Sequence, residues 1–107
     1  MNWNDYLKAS ARTDTAPGDG TTHAILGIVT ESGELAGALK KNLFYSKPLD
    51  DENVREEIGD LMWYIAKLCR NQHLVLENIL SENIDKLLTR YPEGFSSERA
   101  TVRLDKQ

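Results

Sequence analysis

Apolar residues recur at helical spacing along three stretches of the chain. From His23 to about Leu43, Ala24, Ile25, Ile28, Leu35, Ala36 and Leu39 fall on one stripe. Ala24–Val29 alone would pass for a strand, but the pattern runs too long for one, which favours a helix. A second helix is expected from Asp50, a good N-cap followed by Asp51 and Glu52, to about Asn71. Its stripe is Val54, Ile58, Leu61, Met62, Ile65, Leu68 and Cys69. A third runs from about Val75 to Arg90 on Leu76, Ile79, Leu80, Ile84, Leu87 and Leu88, and stops at Tyr91 because Pro92 and Gly94 follow. Ahead of these, Trp3–Ala11 reads as a short helix with Trp3, Tyr6 and Leu7 on one side. Thr13–Thr22, rich in turn formers around Ala16-Pro17-Gly18-Asp19-Gly20, reads as a loop. Phe44–Leu49 is a connector and His73 a short joint, while polar Glu93–Gln107 is expected to wrap the surface or a neighbouring subunit.

The expected fold class is all-α: two long antiparallel helices, a third helix and a short N-terminal one, completed by oligomerisation. A length of 107 residues suits a single domain over 1–107. No apolar run approaches the roughly 20 residues of a membrane span. Met1-Asn2-Trp3-Asn4-Asp5 lacks the basic and apolar regions of a secretory leader. Cys69 is the only cysteine, so neither an internal disulfide nor a cysteine-rich zinc site is available, and a reducing cytoplasmic setting is expected. With 17 acids against 13 bases, the net charge of −4 argues against a nucleic-acid-coating role.

The acids carry the candidate chemistry. Glu31 with Glu34, and Glu57 with Asp60, stack two carboxylates on one helix face, one turn apart. Spacing alone is weak, because this composition gives about 2.6 such pairs by chance. Position says more. Glu31 lies within about 80° of the centre of its apolar stripe and Glu34 about 60° further round. His23, Gly27 and Lys41 share that border. Glu57 borders the second stripe, with Asn53, Asp60 and Tyr64 on the same side. In an antiparallel hairpin the two borders either face each other or both point outward. Facing carboxylates repel unless a cation lies between them, and hard oxygen ligands without thiolate suit Mg²⁺ or Mn²⁺. Neither His23 nor His73 stands three residues after a glutamate, which excludes the Glu-x-x-His pattern of di-iron carboxylate bundles. Read from the pattern alone, a solvated helix face fits the pairs equally well, as it does Glu82 with Asp85.

In the third helix Asn83 projects into the apolar stripe, with Lys86 and Arg90 along its border. That arrangement suits an anionic ligand, or equally a backbone-bridging Asn beside two snorkelling cations. Tyr64 is on the acid side, where it is placed to touch a base or phosphate; Trp63 projects away from its stripe, as toward a partner subunit or a stacking surface. His23 reads first as a helix-start or packing residue. Gly27, Gly33, Gly37 and Gly59 each weaken a helix, for which close helix approach is the expected reason; Gly27 also leaves room for a ligand beside Glu31.

Taken in order, Glu31-Ser32-Gly33-Glu34-Leu35 and Glu57-Ile58-Gly59-Asp60-Leu61, with 22 residues between Glu34 and Glu57, resemble the E-x-x-E…E-x-x-D signature of the MazG-like all-α nucleotide pyrophosphohydrolases. Leu39-Lys40-Lys41, Leu61-Met62-Trp63-Tyr64, Asn83-Ile84-Asp85-Lys86-Leu87 and Arg90-Tyr91-Pro92-Glu93-Gly94-Phe95-Ser96 extend the likeness from about His23 to Ser96. The resemblance implies hydrolysis of a nucleoside triphosphate between its α and β phosphates. It implies Mg²⁺ held by Glu31, Glu34, Glu57 and Asp60, with Asn83 and Lys86 near the sugar or phosphates, in a homo-oligomeric bundle of at least two copies. His23, Tyr64 and Arg90 complete the expected substrate contacts. Glu34, furthest from its stripe, is the expected residue to position the attacking water. Two further readings stand beside this one: a non-enzymatic helical interaction module, and a narrow dUTP or phosphoribosyl-ATP hydrolase.

Overall fold

The computed structural model describes residues 1–15, 18–94 and 97–98; most of the polar tail and the turn residues Ala16-Pro17 therefore lie outside the described residues. The order is α1 (Trp3–Ala11), α2 (Gly20–Phe44), α3 (Asp51–Gln72) and α4 (Leu76–Arg90), with no strand among the described residues. The all-α expectation holds. No helix is long and apolar enough to cross a membrane.

Local capping sets the helix ends. The Asn2 side chain accepts from the Asp5 amide at 2.9 Å, and Asp50 accepts from the Glu52 amide at 3.0 Å. The expected loop Thr13–Thr22 is shorter than its composition suggests. Asp19 accepts from the Thr21 amide at 3.0 Å and from the Thr22 hydroxyl at 2.7 Å, so α2 starts at Gly20 and not at His23. At the far end of α3, His73 adopts the left-handed conformation (φ 54°, ψ 43°) that closes a helix C-terminus.

The chain divides into two compact units, Met1–Leu74 and Val75–Gln107. In the first, α2 and α3 pack as an antiparallel pair and α1 lies on α3. A ladder of contacts fixes the register of that pair. Asn71 closes on Gly20, Lys67 on His23 and Tyr64 on Gly27, while Asp60 and Glu57 meet Glu31. Each step of three or four residues along α2 is matched by a similar step back along α3.

The predicted apolar stripes are covered in part: Ala24 and Cys69 are buried and Ile28, Leu35, Leu61, Met62, Ile65 and Leu68 half-buried, but other members are not. Ala24 and Gly27 are the buried residues of α2, whereas Ile25 and Leu39 of the expected stripe are 49% and 48% exposed and Ala36 is exposed too. On α3 the buried residues are Ala66, Lys67 and Cys69, and Ile58 is 49% exposed. The helices meet along His23, Gly27 and Glu31, which face Lys67, Tyr64 and the α3 acids, so polar groups share the contact with the apolar stripe.

Trp63 is likewise not outward-facing. Its indole N–H donates to the Ser10 carbonyl at 3.1 Å and to the Thr13 hydroxyl at 2.9 Å, pinning the end of α1 to α3. Arg70 adds bonds to the Leu7 carbonyl at 3.2 Å and the Ser10 hydroxyl at 3.0 Å. In the second unit α4 begins at Leu76, buries none of its residues and leaves Leu80, Ile84 and Leu88 more than half exposed.

Candidate metal centre

Four residues of α2 and four of α3 line the inner faces of the hairpin: His23, Gly27, Glu31 and Glu34 against Lys67, Tyr64, Asp60 and Glu57. Both sets step by three or four, the spacing that keeps side chains on one helix face. The two acid borders therefore face each other. Glu31, Glu57 and Asp60 each offer an oxygen, and the three atoms lie within 4.8 Å of one another. Glu34, one turn beyond Glu31, is exposed and outside that group, though close enough for its charge to act on Glu57.

Glu57 is at the focus of this negative charge. Its Oε2 atom is buried, and no N–H or O–H group among the described residues reaches it. Its carboxyl is pushed above the ordinary value of 4.5, first by the Glu31 carboxyl facing it at hydrogen-bonding range, then by burial and by the charges of Glu31, Glu34 and Asp60. A buried oxygen without a donor, set among converging carboxylates, is an arrangement that a cation would satisfy. The residues present fit a hard divalent ion: oxygen donors only, with no thiolate or imidazole in the group.

A cavity flanks the acids on either side. One, of about 380 Å³, is lined by Glu31, Asp60, Trp63 and Tyr64. His23 stands beside it, its ring edge-on to Tyr64 at 5.5 Å and to Trp63 at 6.5 Å between centroids. The other, of about 610 Å³, carries Glu34, Glu57 and Asn53 together with the cations Lys41 and Lys47. Gly27 leaves no room for a ligand, because the Tyr64 ring fills the space its missing side chain would take. At Gly33, Gly37 and Gly59 an added methyl group would meet nothing within 4 Å, so close helix approach explains Gly27 and Gly20 but not these three.

Asn83, Lys86 and Arg90 belong to α4 in the second unit. Asn83 and Lys86 are exposed, so the stripe expected to half-bury Asn83 does not do so. Arg90 is half-buried, its guanidinium 5.8 Å from the Tyr91 ring centroid.

Sequence reasoning passed over Lys67, Asp14 and Arg70. Lys67 is 2% exposed and pairs with Asp14 at 2.8 Å, while Arg70 reaches the other Asp14 oxygen at 3.4 Å. The signal was present: Lys67 continues the face of Glu57, Asp60 and Tyr64 by one more turn.

Comparison with known proteins agrees with this geometry. The chain is 29% identical over 105 aligned residues to the gene 37 protein of Mycobacterium phage L5, covering 88% of this chain and 92% of that protein. No solved structure matches it. The family model of the MazG nucleotide pyrophosphohydrolase domain matches residues 20–95, a span that opens at the first residue of α2, contains both acid pairs and closes just beyond α4. On that match the chain belongs to the MazG nucleotide pyrophosphohydrolase family.

Proposed function

We propose that the protein hydrolyses nucleoside triphosphates to a monophosphate and pyrophosphate, with Mg²⁺ (or Mn²⁺) as its metal, and so clears unwanted nucleotides from the pool. The observation that carries this reading is the convergence of one carboxylate oxygen each from Glu31, Glu57 and Asp60 within 4.8 Å of one another, together with a buried Glu57 Oε2 that no donor among the described residues reaches. These three would hold the cation, and Glu34 would join from the rim. When bound, the ion neutralises triphosphate oxygens, makes the α-phosphorus more electrophilic and acidifies water.

The chain's own groups divide the remaining work. Glu34, exposed and outside the tight group, is the carboxylate best free to orient a water and take its proton. Lys41 and Lys47 line the cavity of Glu34 and Glu57, where they would donate to phosphate oxygens that the acids repel. Asn83, Lys86 and Arg90 are proposed as further sugar and phosphate contacts on the strength of the family likeness. Tyr64 and Trp63 offer ring surface for a base on the opposite side. Positioning and charge stabilisation of this kind account for most phosphoryl chemistry.

We also propose a homo-oligomer of at least two copies. Leu26 and Val29 on α2, and Ile84 and Leu88 on α4, leave 55–64% of their surface open, more apolar area than a small isolated domain usually shows. Cys69, buried and the chain's single cysteine, fits a reducing cytoplasm.

The decisive assay is pyrophosphate release from a panel of ribo- and deoxyribonucleoside triphosphates, with and without Mg²⁺. Release that needs the ion and disappears in Glu57→Gln is expected. No release from any nucleotide under Mg²⁺ or Mn²⁺ would favour the non-enzymatic module. Release confined to dUTP, or hydrolysis of phosphoribosyl-ATP, would narrow the substrate.

A further inference from the structure

Lys67 is almost fully buried, and none of the chemistry above uses it. An ammonium has three N–H donors and no acceptor. One donor serves Asp14 Oδ1 and another meets Nδ1 of His23, each at 2.8 Å, and the charge lies 5.9 Å from the Trp63 ring centroid. Since Lys67 only donates, Nδ1 of His23 must accept, and the proton of the neutral imidazole is on Nε2. That second nitrogen has no hydrogen-bond partner among the described residues and is not among their buried unpartnered atoms, so it is an open donor.

A buried ion pair is a poor way to gain stability, since an apolar side chain of similar volume often does as well. Its value here is directional. The His23 ring that it fixes packs against Tyr64 and Trp63, which with Glu31 and Asp60 line the cavity of about 380 Å³. We propose that Lys67, held by Asp14, is a positioning residue that locks Nε2 of His23 as a donor at the aromatic end of the site, so that nucleotides are selected by an acceptor, a carbonyl oxygen or ring nitrogen, on the base. The selection half rests on the nucleotide reading above; the tautomer half does not.

The test is nitrogen NMR of histidine-labelled protein without metal or nucleotide, above the ordinary imidazole value of about 6.5. The chain has two histidines, and exposed His73 is the internal reference. His23 is expected to show a single tautomer, with protonated Nε2 and an Nδ1 resonance displaced by the bond it accepts, while His73 shows an averaged mixture. In Lys67→Met the His23 resonances move toward those of His73, and Lys67→Arg restores them. Asp14→Asn lowers the melting temperature yet keeps the tautomer. A wild-type His23 that averages like His73 overturns the proposal without any variant having to fold, as does an unchanged spectrum in Lys67→Met. For selection, Lys67→Met should raise KM about tenfold for the best substrate, change kcat less and flatten the preference among bases. An altered tautomer with unchanged KM and preference overturns the selection half. Absence of any nucleotide hydrolysis in the wild type counts against the enzyme reading and leaves the spectrum to judge the tautomer.

Discussion

The ring of Tyr64 occupies the space that a side chain at Gly27 would need. This contact sits midway along the inner face of the α2–α3 hairpin, between the Lys67–His23 bond and the carboxylates of Glu31, Glu57 and Asp60. It sets how closely the helices approach where the acids converge. Gly27→Ala should therefore cost about 1–3 kcal/mol through overpacking, against a helix-propensity gain of up to about 1 kcal/mol. Gly33→Ala, with open space around it, should gain up to about 1 kcal/mol. Thermal melts of the two variants, moving in opposite directions, check the packing.

Glu57 predicts a pH dependence for the metal-free protein. Its carboxyl is raised above 4.5, so its favourable contribution is complete below that value and is lost as the pH rises through the folded-state value. Glu57→Gln removes the repulsion and keeps the volume. In chelator it should melt higher than wild type at neutral pH. Added Mg²⁺ should raise the wild-type melting temperature and leave that of Glu57→Gln nearly unchanged.

Asp14 acts with the opposite sign. Its bond to Lys67, helped by Arg70, holds its carboxyl below the ordinary 3.8. The stability it contributes is present above that value and disappears as the pH falls through the lowered one. Asp14→Asn should destabilise the neutral protein by about 1–3 kcal/mol and make the acid limb of a pH–stability curve shallower. Calorimetry from neutral to strongly acid pH measures both.

Trp63 ties α1 to α3 through its bonds to Ser10 and Thr13. Trp63→Phe should cost about 1–3 kcal/mol and loosen α1 ahead of the α2–α3 pair. Faster hydrogen exchange in Trp3–Ala11 than in Asp51–Gln72 would report that loosening.

The cations can be sorted by kinetics. Lys41→Ala with Lys47→Ala should raise KM about tenfold, because both line the cavity of Glu34 and Glu57. Lys86→Ala should also raise KM without changing Mg²⁺ affinity in the absence of nucleotide. Arg90→Ala should act more on melting temperature, since it closes α4 where a cation favours the helix dipole. Normal kinetics in Lys86→Ala would leave Lys41 and Lys47 as the phosphate donors.

Helix order and most helix ends were legible in the sequence because capping and periodicity are local: Asp50 before Asp51–Gln72, or Pro92 after Arg90, acts within a few residues. The paired acids were legible too, since 3.6-residue geometry puts Glu57 and Asp60 on one face in any helix. Whether that face turned inward was not. Apolar stripes placed Ile25, Leu39 and Ile58 at the contact, yet they are about half exposed. The packing depends on groups far apart in the chain: a ring that needs the glycine at 27, an indole that needs the carbonyl of Ser10, and an ammonium that needs both Asp14 and His23. A lysine is read as solvated until its partners are known, because burying its charge is tolerable only where acceptors already stand in place. Only the tertiary structure supplies them.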